Sequence, residues 1–312
     1  MNSIFLAALC SFAACHPLIA GTVVLTSLSD EEHPLGPLIS LAGLPLGAGV
    51  VVRAGAFPGI SDDALLDAAA AGGFAAVESA FLPFGDPRSI GEGAAESPGA
   101  FEVAFKQAIT GSPHVGEEVS LLIDKNGGQE FLVARFKGRL FEADSGTGLE
   151  PLLSLHLADA KIIVGNRYAG PRFATSPAPE RGSYASWIAG FPGISEPAMK
   201  LPEADADGDG RSNFLEYVAA GNPDSGADPA PCRIVRDESG DAWVGFTRSV
   251  GLGGITHGIE TSADLVTPWQ ILPGVPEPDP DAPMEGSLNW MRIRVPAPLP
   301  AKAFFRLQSK DD

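Results

Sequence analysis

Residues 205–216 read DADGDGRSNFLE, and no other stretch of the chain constrains backbone and chemistry so tightly. Side-chain oxygens recur at Asp205, Asp207 and Asp209, then at Asn213 and Glu216. Gly210 follows the third aspartate, where a loop that gathers those oxygens has to turn sharply. Alternate residues of a tight loop can aim at one point, and a hard cation such as Ca²⁺ takes about six to eight oxygens at about 2.3–2.6 Å. The expected donors are Asp205, Asp207, Asp209, the backbone carbonyl of Arg211, Asn213 and Glu216, which leaves the Arg211 side chain to point into solvent. The plain alternative is an acidic turn, because Asp and Gly are also the usual residues of Asx-turns.

The spacing resembles the calcium loops of the EF-hand and dockerin families over these twelve residues. After the loop, Phe214, Leu215, Tyr217 and Val218 predict an exiting helix, with Gly221 as its C-cap and Pro223 as a stop. Before it, Pro197 and Pro202 oppose the long incoming helix of a full EF-hand. The resemblance also implies an apolar residue at position eight for pairing with a twin loop; here it is Ser212, and no second loop of this type occurs. A lone site of this kind is expected to bind weakly, in the range of about 10⁻⁴–10⁻³ M of extracellular modules, and to act as a structural clip.

Residues 4–14 form an apolar run too short to span a bilayer and placed where the core of a signal peptide belongs. Cleavage after Ala20 is expected, with a lipid-modified Cys15 as the alternative. Export to the cell envelope, the periplasm or the medium is therefore expected, the alternative being that residues 4–14 are a buried N-terminal segment. Cys10 and Cys15 lie in this leader, so cleavage after Ala20 leaves Cys232 alone and no internal disulfide. The chain carries 39 acidic and 21 basic residues and a net charge of −18, a surface that repels nucleic-acid phosphates and anionic membranes. No later apolar run is long enough to cross a membrane.

With 37 glycines and 28 prolines, about a fifth of the chain favours turns and short strands, and the fold class expected is mainly β. A β-rich N-terminal domain with short helices is placed at 21–171, a linker at 172–183, a helical calcium-loop unit at 184–225 and a β-sandwich module at 231–312. Strands are read at 23–28, 50–54, 152–157 and 161–164, and a hairpin at 119–136 turning on Asn126, Gly127 and Gly128. Helices are read from Ser61 through Ala71, ending at Gly72 and Gly73, then at 74–81, and as a short candidate at 101–109. Tyr184, Trp187, Ile188 and Phe191 fall at helical spacing and are assigned to the core. Near the C-terminus, Met291, Ile293 and Val295 share one strand face opposite Trp290, Arg292 and Arg294.

In order, SYASWIAGFPG, the acidic loop, WVGFTRSVGLGGITHGIETSADLVTPWQ and AKAFFRLQ are similar to the C-terminal half of a group of exported bacterial proteins. In that group a single calcium loop precedes a small β-sandwich ending in an FFRL-type strand. The resemblance spans about 130 residues and implies architecture more than activity. Catalytic signatures such as HExxH, GxSxG, a Walker loop or CxxC are absent from the sequence. His33, His114, His156 and His257 are scattered, and the adjacent pairs Asp62–Asp63 and Glu117–Glu118 are expected to be solvated. The function expected is that of a non-enzymatic calcium-binding structural or surface-interaction protein, with an extracellular glycan or envelope protein as partner. The rival is a secreted hydrolase or carbohydrate-binding protein whose site lies in the N-terminal domain.

Overall fold

The computed structural model describes residues 20–109, 112–143, 150–168, 172–227, 232–237, 239–252, 255–266, 268–274, 276–279, 289–297 and 302–311. The expected leader lies outside them except for Ala20. The chain is mainly β, arranged as several small sheets.

The N-terminal half contains β1 (Ala20–Thr26), β2 (Val51–Ala56), α1 (Asp62–Ala80), β3 (Leu82–Ser89), β4 (Glu102–Ala108), β5 (Glu118–Lys125), β6 (Glu130–Leu140), β7 (Leu152–His156) and β8 (Lys161–Val164). β4, β1 and β7 form one sheet and β3, β2, β5, β6 and β8 a second. They stack over a core that includes Val23 and Leu25 of the first and Val52, Leu121, Ile123 and Leu132 of the second. The hairpin β5–β6 turns on three residues with positive φ, Asn126, Gly127 and Gly128. β5 is buried on both faces because α1 covers the far side, where Leu65, Ala69 and Val77 meet Leu122, Val133 and Ile163. That explains its unbroken aliphatic run.

Ser61 caps α1, its Oγ accepting the Ala64 N–H at 3.2 Å. Gly73, at φ 63° and ψ −155°, breaks the helix at a kink into two pieces, where the two short helices were expected. Residues 101–109 are not helical: β4 is a strand paired along its length with β1, and Val103 and Phe105 enter the core. The spacing of four between Phe101, Phe105 and Ile109 satisfies a helix and a strand equally; Val103, two residues from Phe105, belongs only to the strand. Asp62 is not simply solvated either. It faces Arg135 at 2.9 Å, Lys137 at 3.0 Å and Lys161 at 3.5 Å.

β9 (Asn166–Tyr168) and β10 (Arg172–Ala174) leave the N-terminal half, and β9 runs parallel to a strand of the C-terminal part. The segment read as a linker therefore opens as a strand, and Ser176 continues it by exchanging backbone hydrogen bonds with Phe131. Beyond it come α2 (Tyr184–Ala189), α3 (Asn213–Ala219), β11 (Cys232–Arg236), β12 (Ala242–Arg248), β13 (Ile255–Ser262), β14 (Gln270–Ile271), β15 (Glu277–Pro278), β16 (Asn289–Arg294) and β17 (Phe304–Asp311). β11, β12, β16 and β15 form one sheet; β10, β9, β13 and β14 form another, with β17 beside β13. Val244, Phe246, Met291 and Ile293 of the former pack with Ile259 and Leu307 of the latter. On the opposite face of the first sheet Arg292 lies over Trp243 at 4.1 Å and Arg233 over Trp290 at 4.4 Å.

Candidate metal centre

The chain enters the acidic loop through a single 3₁₀ turn, Pro197–Lys200, as the prolines require. Within the loop each carboxylate closes a local turn. Asp205 accepts the N–H groups of Gly208 and Gly210, both at 2.9 Å. Asp207 accepts that of Asp209 at 3.1 Å and Asp209 that of Arg211 at 2.8 Å. Gly208 and Gly210 have φ of 79° and 91°, a conformation in which a side chain is strained. The result is that oxygens of Asp205, Asp207 and Asp209 lie within 4.8 Å of one another.

Asn213 and Glu216 arrive from the first turn of α3 and are both fully buried. The Asn213 amide is fixed from behind, its Nδ2 donating to the carbonyls of Met199 at 2.7 Å and Leu201 at 3.0 Å, and its N–H to Ala204 at 2.7 Å. Glu216 stands outside the three-aspartate group. Arg211 departs from expectation: its guanidinium folds back onto Asp209, with Nε 2.6 Å from Oδ2, and its side chain is 13% exposed. Those hydrogen bonds hold the Asp209 carboxyl below the usual carboxylate range. Three carboxylates this close repel one another, and the nearest cation moves in.

The donor set passes a test of fit to a hard cation. Oδ2 of Asp207 and Oδ1 of Asn213 are buried acceptors to which no described group donates a hydrogen bond. A buried polar atom left in that state costs about 1–3 kcal/mol. Both atoms stand at ligand positions in the sequence pattern, and oxygen-only coordination is what Ca²⁺ selects.

α3 is anchored at its far end by several hydrogen bonds. Arg181 donates to the carbonyls of Glu216 at 3.4 Å and Gly221 at 3.1 Å. Thr247 Oγ1 donates to Ala219 at 2.9 Å, Ser249 N–H to Val218 at 2.6 Å and Ser249 Oγ to Tyr217 at 2.7 Å. The carbonyls that a helix C-terminus leaves unsatisfied are thus taken up by the strand that ends at Arg248 and by the segment before α2. The left-handed cap is Ala220, at φ 62°, and not Gly221, whose N–H reaches back to the Glu216 carbonyl at 2.7 Å. Tyr184 and Trp187 of α2 pack their rings 5.6 and 5.2 Å from Tyr217. Asp67 of α1 holds α2 in turn, accepting Ser183 N–H at 2.7 Å and Ser186 Oγ at 2.8 Å. At this seam lies a cavity of about 110 Å³, lined by Leu66, Lys161, Tyr184, Phe214, Tyr217 and Leu252 among others.

Sequence reasoning missed one convergence. His33 and His156 are not scattered; their rings stack with centroids 4.3 Å apart. About 120 residues separate them, and no local motif announces the contact. His114 is buried alone, between Ser112 and the carbonyls of Leu82 and Pro83. No protein-family model, curated protein or solved structure matches this chain.

Proposed function

We propose that the chain is an exported, non-enzymatic structural or surface-interaction protein in which one Ca²⁺, held by Asp205, Asp207, Asp209, the Arg211 carbonyl, Asn213 and Glu216, clips a junction. The observation that carries this reading is the pair of buried acceptors, Asp207 Oδ2 and Asn213 Oδ1, that meet no hydrogen-bond donor among the described residues. An ion there would satisfy both and cancel the repulsion of the three aspartates. The position of α3 supports the clip. It follows the loop directly, and its far end is bonded to Thr247 and Ser249, while its partner α2 is bonded to Asp67 of the N-terminal half. Ordering the loop therefore steadies the place where three parts of the chain meet.

The residues that would serve a sugar-binding role are engaged elsewhere. The chain has four tryptophans, none before Trp187, and each lies under an arginine: Trp187 under Arg181 at 5.1 Å, Trp269 under Arg306 at 4.3 Å, and Trp243 and Trp290 as above. This weighs for the structural reading over a glycan-binding module. Calorimetry of the chain with Ca²⁺ tests the proposal. One site is expected, absent in Asp205→Ala and Glu216→Ala; no heat at millimolar Ca²⁺ would overturn it.

A further inference from the structure

Three ligating side chains, Asp30, His33 and His156, meet where the chain leaves β1 and where β7 ends, well separated in sequence from the acidic loop. His33 Nδ1 is 3.2 Å from Asp30 Oδ1, and His33 Nε2 is 3.6 Å from Asp159 Oδ2. Ligating atoms of Asp30, His33 and His156 all lie within 4.8 Å of one another. His156 is buried, and its ring is oriented by the backbone. Its Nε2–H donates to the Leu28 carbonyl at 2.6 Å, which leaves the lone pair on Nδ1, now accepting the Ala158 N–H at 3.1 Å. A histidine whose far nitrogen is tied to a carbonyl in this way has the tautomer and orientation of a metal ligand.

We infer that Asp30, His33 and His156 form a second cation site, distinct from the acidic loop and suited to a divalent transition ion of the zinc class. Two imidazoles with one carboxylate, leaving a fourth position open, are donors that Zn²⁺ takes at about 2.0–2.2 Å, whereas Ca²⁺ prefers oxygen alone. The stacked rings are only 22° from parallel, so their in-plane lone pairs do not point at a common position. Capture of an ion therefore requires the His33 ring to turn out of the stack. His33 stands on a loop with its side chain 27% exposed and turns by giving up its contact with Asp159, while His156 stays on Leu28 and yields only the Ala158 hydrogen bond. The bound ion would tie the loop after β1 to the end of β7 and to the 3₁₀ turn at Leu157–Asp159.

Zn²⁺ titration by calorimetry, on the whole chain in millimolar Ca²⁺ so that the acidic loop is occupied, tests this site. One equivalent is expected, weakened at least tenfold in His33→Ala and unchanged in Asp205→Ala. Thermal melting of His33→Ala beside the wild type checks that the variant is folded. Proton NMR gives a second readout, because the ring-current shifts that the stack imposes on His33 should disappear when Zn²⁺ is added. Absence of Zn²⁺ binding, binding that persists in His33→Ala, or binding that is lost in Asp205→Ala would each overturn the assignment.

Discussion

In the proposed coordination Arg211 competes with the ion for Asp209, and Arg211→Ala should therefore tighten calcium binding. The side chain contributes nothing to the expected coordination, which uses only its carbonyl, yet its guanidinium holds Asp209 Oδ2. Seating Ca²⁺ requires Asp209 to turn from that partner or share its charge. A paired surface carboxylate of this kind is worth at most about 1 kcal/mol. The fixed positive charge also opposes the incoming dication: at about 6 Å in water the repulsion is about 1.4 kcal/mol, and physiological salt roughly halves it. Together the two effects amount to about 1–1.5 kcal/mol, a gain in affinity of about five- to twelvefold. Calorimetry of wild type and Arg211→Ala at two salt concentrations measures it, and the gain should shrink as salt rises. Unchanged or weaker binding in the variant would show that the ion does not use Asp209, and the proposed coordination would fail with it.

Ala220→Gly should stabilise the protein by about 0.5–1 kcal/mol in a urea melt, because a left-handed residue without Cβ is unstrained. Phe105→Ala should cost about 3–5 kcal/mol by the same assay, since the ring is fully buried between the two N-terminal sheets; a surface-like loss under 1 kcal/mol would contradict the strand assignment. Asp237 is held down to about 2 by hydrogen bonds from Ser239 and from Trp243 Nε1. Its folded pKa lies below the ordinary value of about 3.9, so its contribution to stability is present above about pH 4 and disappears as pH falls toward 2. NMR titration should place Asp237 near 2 in the wild type and higher in Trp243→Phe. Free Ca²⁺ at ten times its dissociation constant adds about 1.4 kcal/mol, so melting should rise by a few degrees over a sample with excess chelator.

How much of this was legible in the sequence depends on how far apart the cooperating residues lie. The break at Gly73, the Asn126–Gly128 hairpin and the alternation of Met291, Ile293 and Val295 are local, and each has one conformation compatible with its residue types. The helical reading of 101–109 failed because a spacing of four fits both periods when only the larger residues are weighed. The clustering of Asp205, Asp207 and Asp209 was legible for the same local reason, since alternate residues of a tight turn bring their oxygens together. What the sequence does not carry is anything set by tertiary contact: Arg211 turning onto Asp209, Asp62 facing three cations from β6 and β8, and the stack of His33 on His156. Nor could it show that α3 is capped by Thr247 and Ser249, because those residues come from the end of β12 and the residue after it, which have no helical signal and no sequence proximity to α3.

Hydrogen exchange with and without Ca²⁺ tests the clip most directly. If the ion braces the junction, protection should rise through residues 184–221 and into the backbone of Ser249, whose N–H is bonded to Val218, while β1, β2 and β5 barely change. Protection confined to residues 205–216 would mean that the loop binds without bracing anything. A large change across the N-terminal strands would mean a conformational sensor. Either result would contradict the structural clip.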